Sequence, residues 1–332
     1  MRHGSRIASR ADARFPYGFE RIGAFAGYKI AMYRYKNILV GLNLDGSDDS
    51  LIRYAEMVSF LANSDRVRFV HVVPQALAFS ELLPEYYRSS QDVVAELRER
   101  LSDLVDERFV GPRHTAVHCA IVEGSPLAEL LRTAKDDGTD LVIVGRDEGG
   151  GTLAEKLARK APCSVLIVPP SEPASIERVL VPVDFSNHAA DAVDVAVAFA
   201  EAAGLDEVHL LHVYGVPDSY LKLGKSFEEF HDVVRRVAEE RYGEFIQTVD
   251  LRGLSPVRHF ARGENVPQVI YERAAELEAD LVVVGTRGRS PSAAVLLGSV
   301  GERVVRAAKV PVVAVKRKGA TLGLIDALLE LQ

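Results

Sequence analysis

Residues 37–55 read NILVGLNLDGSDDSLIRYA, and residues 178–196 read RVLVPVDFSNHAADAVDVA. The two stretches superpose without a gap at an offset of 141 positions. Each opens on a short apolar run, passes through a polar turn and enters a stretch of helical periodicity. Working outward, RFVHVVP (68–74) is answered by HLLHVYGVP (209–217), and DLVIVG (140–145) by DLVVVG (280–285). The echoes keep their order, so the chain is two copies of one unit in tandem. Between them PPSEPASIE (169–177) is rich in proline and polar residues, which disfavours a helix and marks a linker.

Within each copy, short Val/Ile/Leu runs alternate with longer helical stretches. In the second copy the strands are read at 179–183, 208–213, 257–261, 281–284 and 310–315. Continuous apolar runs imply strands covered on both faces, and therefore a parallel sheet between helices. The fold class is α/β: two tandem, doubly wound, five-stranded parallel-sheet domains, Rossmann-like. Such sheets take ligands where strands end at the point of reversed winding. Ser226 and Glu229 form a capping box ahead of a helix running to about Thr248.

The domains are read as 32–170 and 178–317, joined by a linker at 171–177. A helix at 318–332 carries Leu322, Ile325, Leu328 and Leu329 on one stripe. Residues 1–31, rich in Arg and poor in acids, are a loose arm or a mis-assigned start, with a transit peptide as the alternative.

A length of 332 residues with 48% hydrophobic and 26% charged residues describes two globular domains. No apolar run reaches a membrane span. The net charge of -7 argues against a general nucleic-acid binder. Cys119 and Cys163 have no CxxC or zinc-ligand spacing, and a reducing cytoplasm is the expected setting.

After the fourth strand of the second copy the chain runs Gly285-Thr-Arg-Gly288 and on to Gly298-Ser299, a G-x2-G-x9-G-S spacing followed by a helical stretch. Glycines let amides approach an anion, and a helix start adds unpaired N–H groups and the positive dipole end. The expectation is that amides around Gly288, Gly298 and Ser299 converge on a point facing Asp184, which ends the first strand and is able to accept from ribose hydroxyls. Arg287 and Arg289 lie inside the loop, either as phosphate clamps or as solvated surface charges.

VLVPVDFS, LLHV, the G-x2-G-x9-G-S loop and VPVVAVK together resemble the universal stress protein family, and the resemblance covers 36–317 twice. It implies a strand order of 3-2-1-4-5, with the last strand pairing the domains. Its ATP-binding branch implies nucleotide contacts at Asp184, at the Val213 backbone beside adenine, and at Gly285, Gly288, Gly298 and Ser299. ATP, with Mg2+ bridging the phosphates, is the expected ligand, held by a sensor in a cytoplasmic stress response. A slow ATPase or nucleotidyl-transfer enzyme and a nucleotide-free scaffold are the alternatives, and two such chains are able to associate further.

The first copy departs from the pattern. Asn43 stands where the second has Asp184, and Gly145 to Gly151 spans 6 positions against 13 from Gly285 to Gly298. The 7 missing residues are up to roughly 23 Å of contour, and Asp147 and Glu148 add negative charge. This copy is expected to be empty or to bind something smaller, with a structural role in pairing 165–168 with 310–315. GKS at 224–226 lacks the first P-loop glycine, because position 219 is Ser. His71 and His212, at equivalent strand ends, read as satisfied rim histidines.

Overall fold

The computed structural model describes residues 32, 34–73, 90–146, 152–170, 173–215, 226–286 and 298–316. The expected N-terminal arm, the C-terminal helix, Asp147, Glu148, Gly151 and most of the GKS segment lie outside them.

In the first domain β1 (Asn37–Leu42), α1 (Asp49–Ala62), β2 (Arg66–Val73), α2 (Ser90–Arg108), β3 (Ala116–Glu123), α3 (Pro126–Asp136), β4 (Leu141–Gly145), α4 (Thr152–Lys160) and β5 (Ser164–Val168) follow one another. The second repeats the series as β6 (Val179–Pro182), α5 (Asn187–Ala202), β7 (Glu207–Tyr214), α6 (Phe227–Ile246), β8 (Ser255–Arg262), α7 (Val266–Glu276), β9 (Leu281–Gly285), α8 (Ser299–Arg306) and β10 (Val312–Val315).

All ten strands form one sheet in the order β3-β2-β1-β4-β5-β10-β9-β6-β7-β8. Each half is 3-2-1-4-5 and internally parallel, as expected. The halves meet antiparallel, with Val312 opposite Ile167, Val313 opposite Leu166 and Ala314 opposite Val165. The residues read as the pairing segments are the ones that pair. β10 starts two residues later than read, because Pro311 has no N–H for the ladder; its carbonyl accepts from Val282. β8 starts two residues earlier and takes in Pro256, which an edge strand tolerates.

The central strands are buried because helices cover both faces: β5 is buried at every position, and β4 and β9 at four of five. One core crosses the seam without a break, from Leu39 and Val142 through Val165, Ile167, Val312 and Ala314 to Val282 and Leu180. Polar contacts fix its register. Arg306 on α8 grips both oxygens of Glu155 on α4 at 2.8 Å. The Lys316 ammonium donates to the Arg159 and Ala161 carbonyls at 2.7 and 3.0 Å, closing the end of α4 with a cation where the helix dipole favours one. Arg146 does the reciprocal job, donating to the Ala308 carbonyl beyond α8 at 2.7 Å. On the other face Arg34 pairs with Asp194 and the Tyr35 ring lies 5.8 Å from Phe199.

Candidate functional site

The site is built where β6 and β9 end side by side. Pro182 pairs with Leu211 and Leu180 with Val282, so the parallel registers carry Asp184 level with Val213 and one position beyond Gly285 at the same sheet edge. After β6 the chain turns sharply. An Asp184 carboxylate oxygen accepts from the Ser186 amide at 3.1 Å, and the Ser186 hydroxyl caps α5 by accepting from Ala189 at 3.2 Å. Between them Phe185 sits at φ 66°, a left-handed conformation unusual for a bulky residue. Its ring stacks on His212 at 4.2 Å and meets Phe245 at 5.6 Å, which offsets the strain. Phe185 is a site feature the sequence did not announce, since nothing in a phenylalanine signals positive φ.

Gly285 is required for packing. A Cβ there would stand 2.6 Å from the His188 carbonyl oxygen, because the first turn of α5 runs directly over the end of β9. Thr286, buried beside it, turns its carbonyl to the Gly298 amide at 2.7 Å. That bond closes the base of the segment 287–297. It also corrects the expectation for Gly298: its N–H is already engaged by the protein and does not face an anion. Gly298, at φ −60° and ψ 150°, is the N-cap of α8, and its carbonyl accepts from Glu302. The amides of Ser299, Val300 and Gly301 precede that first helical donor and lie outside the ladder of α8. Ser299 is exposed and Val213 half-buried against the core. Arg287, Gly288 and Arg289 lie outside the described residues.

The corresponding edge of the first domain is filled differently. The Asn43 and Leu44 amides donate to the two oxygens of Asp48 at 2.9 and 2.7 Å. Asp48 is fully buried, and burial raises its carboxyl above the ordinary range while these two bonds pull it back. Leu44 repeats the left-handed turn at φ 57°. At Gly145, by contrast, a Cβ would meet nothing closer than Leu51 at 3.6 Å, an ordinary contact. His71 and His212 both bond the carbonyl at the end of the neighbouring first strand, Leu42 at 2.9 Å and Val183 at 2.8 Å, and are satisfied rim histidines. Ser226 caps α6 in the expected box with Glu229.

The model of the universal stress protein family matches residues 34–169 and again 175–316. The chain belongs to that family. A universal stress protein of Mycobacterium tuberculosis H37Rv is 27% identical over 291 residues, covering 83% of this chain and 95% of its own. A universal stress protein E homolog of Haemophilus influenzae is 27% identical over 302 residues, covering 82% and 94%. Among solved structures, a functionally unknown protein of Pseudomonas aeruginosa shares the fold at a TM-score of 0.61 and 18% identity, covering 91% of this chain and 99% of that one. This universal stress protein thus has relatives with both domains. Among its described residues no helix is long and apolar enough to cross a membrane, and no three His, Cys, Asp or Glu side chains are grouped to hold a metal ion.

Proposed function

We propose that the second domain binds the phosphates of an adenine nucleotide, ATP with Mg2+, as the regulatory ligand of a cytoplasmic stress-response protein. The observation that carries this is the start of α8. Three consecutive amides, Ser299 to Gly301, precede the first helical donor, Glu302, directly after Gly298 is tied to Thr286 beside the end of β9. Such a turn supplies aligned donors and the positive end of a helix dipole, the two things a phosphate needs. Each charge-assisted bond is worth about 1.5 to 3 kcal/mol, so three support micromolar binding.

In this reading Asp184, level with Val213, accepts from the ribose, the Val213 backbone borders the base, and Arg287 and Gly288 line the phosphates. Gly298 contributes by having no side chain, and its amide keeps its bond to Thr286. Mg2+ would enter with the nucleotide and offset part of the phosphates' negative charge. The first domain is a structural partner without nucleotide: its Asn43 carries no charge, and Arg146 is committed to the seam.

Titration of purified protein with Mg-ATP, read by calorimetry, tests the proposal. One site per chain is expected, lost in Asp184→Ala and Gly298→Asp and kept in Asn43→Ala. No binding to the folded wild type, or equal loss from the Asn43 change, sinks it.

A further inference from the structure

The outer strands of the second domain hold a pair of histidines that the nucleotide reading does not use. His209 on β7 and His259 on β8 face each other with ring centroids 5.2 Å apart and planes 19° from parallel; His209 Nδ1 lies 3.0 Å from His259 Nε2. His209 is only 7% exposed. A nitrogen-to-nitrogen bond needs one donor and one acceptor, so it exists only while at least one ring is neutral. The charged groups facing the pair are Glu207 from β7, whose carboxylate approaches His209 Nε2 at 3.3 Å without hydrogen-bond alignment, and Arg273 from α7, ion-paired to Glu276 at 2.8 Å.

The first domain solves the same position without a titrating pair. The registers place Arg68 where His209 stands and Ala120 where His259 stands. Asp137, the C-cap residue of α3, occupies the place of Leu277 and lies 3.0 Å from Arg68. An ion pair there is replaced here by two imidazoles within hydrogen-bond distance.

We propose that the His209–His259 bond is a proton-operated latch that holds edge strand β8 to β7 when one ring is neutral and releases it when both are charged. The second proton sets two N–H groups face to face and places two positive rings beside Arg273, with Glu207 alone opposing. Burial first, then His209 and Arg273, hold the His259 imidazole below its ordinary range. The fold therefore favours the neutral ring. Stability from the neutral His259 ring is complete above the unfolded value of about 6.5 and is lost as pH falls below it.

Hydrogen exchange of the full chain, read by mass spectrometry at pH 7.5 and 5.5 and corrected for intrinsic rates, tests the latch. Peptides spanning β8 are expected to lose at least ten-fold in protection relative to those spanning β3. The change should vanish in His259→Ala and in the triple variant His209→Arg, His259→Ala, Leu277→Asp, which installs the first domain's set. Wild-type β8 tracking β3 at both pH values, or a pH response surviving in either folded variant, overturns it.

Discussion

The two domains share a backbone plan and differ at the edge where β1 and β6 end. In the second, the chain leaves β6 through a half-buried cap, Ser186 on Ala189, and packs α5 so tightly over β9 that only glycine fits at 285. In the first, a buried carboxylate, Asp48, draws the amides of residues 43 and 44 back onto itself, and Gly145 has space around it. One fold thus tolerates either a close-packed edge or one whose turn amides are drawn onto a buried carboxylate.

The sharpest way to break this contrast is a matched pair of glycine substitutions. Gly285→Ala should cost about 3 kcal/mol, because a methyl cannot share space with the His188 carbonyl. Gly145→Ala should cost less than about 0.5 kcal/mol, and equal losses in chemical denaturation would show that the crowding at 285 is not real. The caps come next. Asp48→Ala leaves two amides without their carboxylate and should cost about 2 kcal/mol, against about 1 kcal/mol for Ser186→Ala; a reversed order would contradict the account of the first domain.

A smaller effect concerns the turns after α3 and α7. Gly138 takes φ 59° in the first domain, whereas Glu278 holds φ 49° in the second. Glu278→Gly should therefore stabilise the protein by about 0.5 kcal/mol despite losing the exposed contact to Arg178. Glu56 on α1 stands where α5 carries the fully buried Val197. Burial lifts its carboxyl to about 7. A raised carboxyl stabilises the fold most below its unfolded value, and that contribution is lost as pH rises through 7. Glu56→Gln should melt higher than wild type at pH 8 and converge with it at pH 4.

Much of this was legible in the chain. The repeat and the strands could be read because strands buried on both faces need unbroken apolar runs. Ser226 and Glu229 announced α6 because a capping box is local chemistry. Pro256 and Pro311 moved strand boundaries, since a missing N–H matters only once a neighbouring strand is known. The engagement of Gly298 could not be read, because Thr286 reaches it across a segment whose path no spacing rule describes. Phe185 and Leu44 carry no mark of left-handed geometry: Phe185 is held by rings from the distant residues His212 and Phe245, and Leu44 by the carboxylate of Asp48 four residues on.

By itself, the order of residues determined two five-stranded units and the asymmetry between Asn43 and Asp184. These depend on periodicity and side-chain type, which are local. Only the tertiary structure decided which amides at the edge are already bonded, that Lys316 and Arg146 close helices belonging to the opposite domain, and that His209 meets His259. Those outcomes depend on distances between residues far apart in the chain, and packing alone sets them.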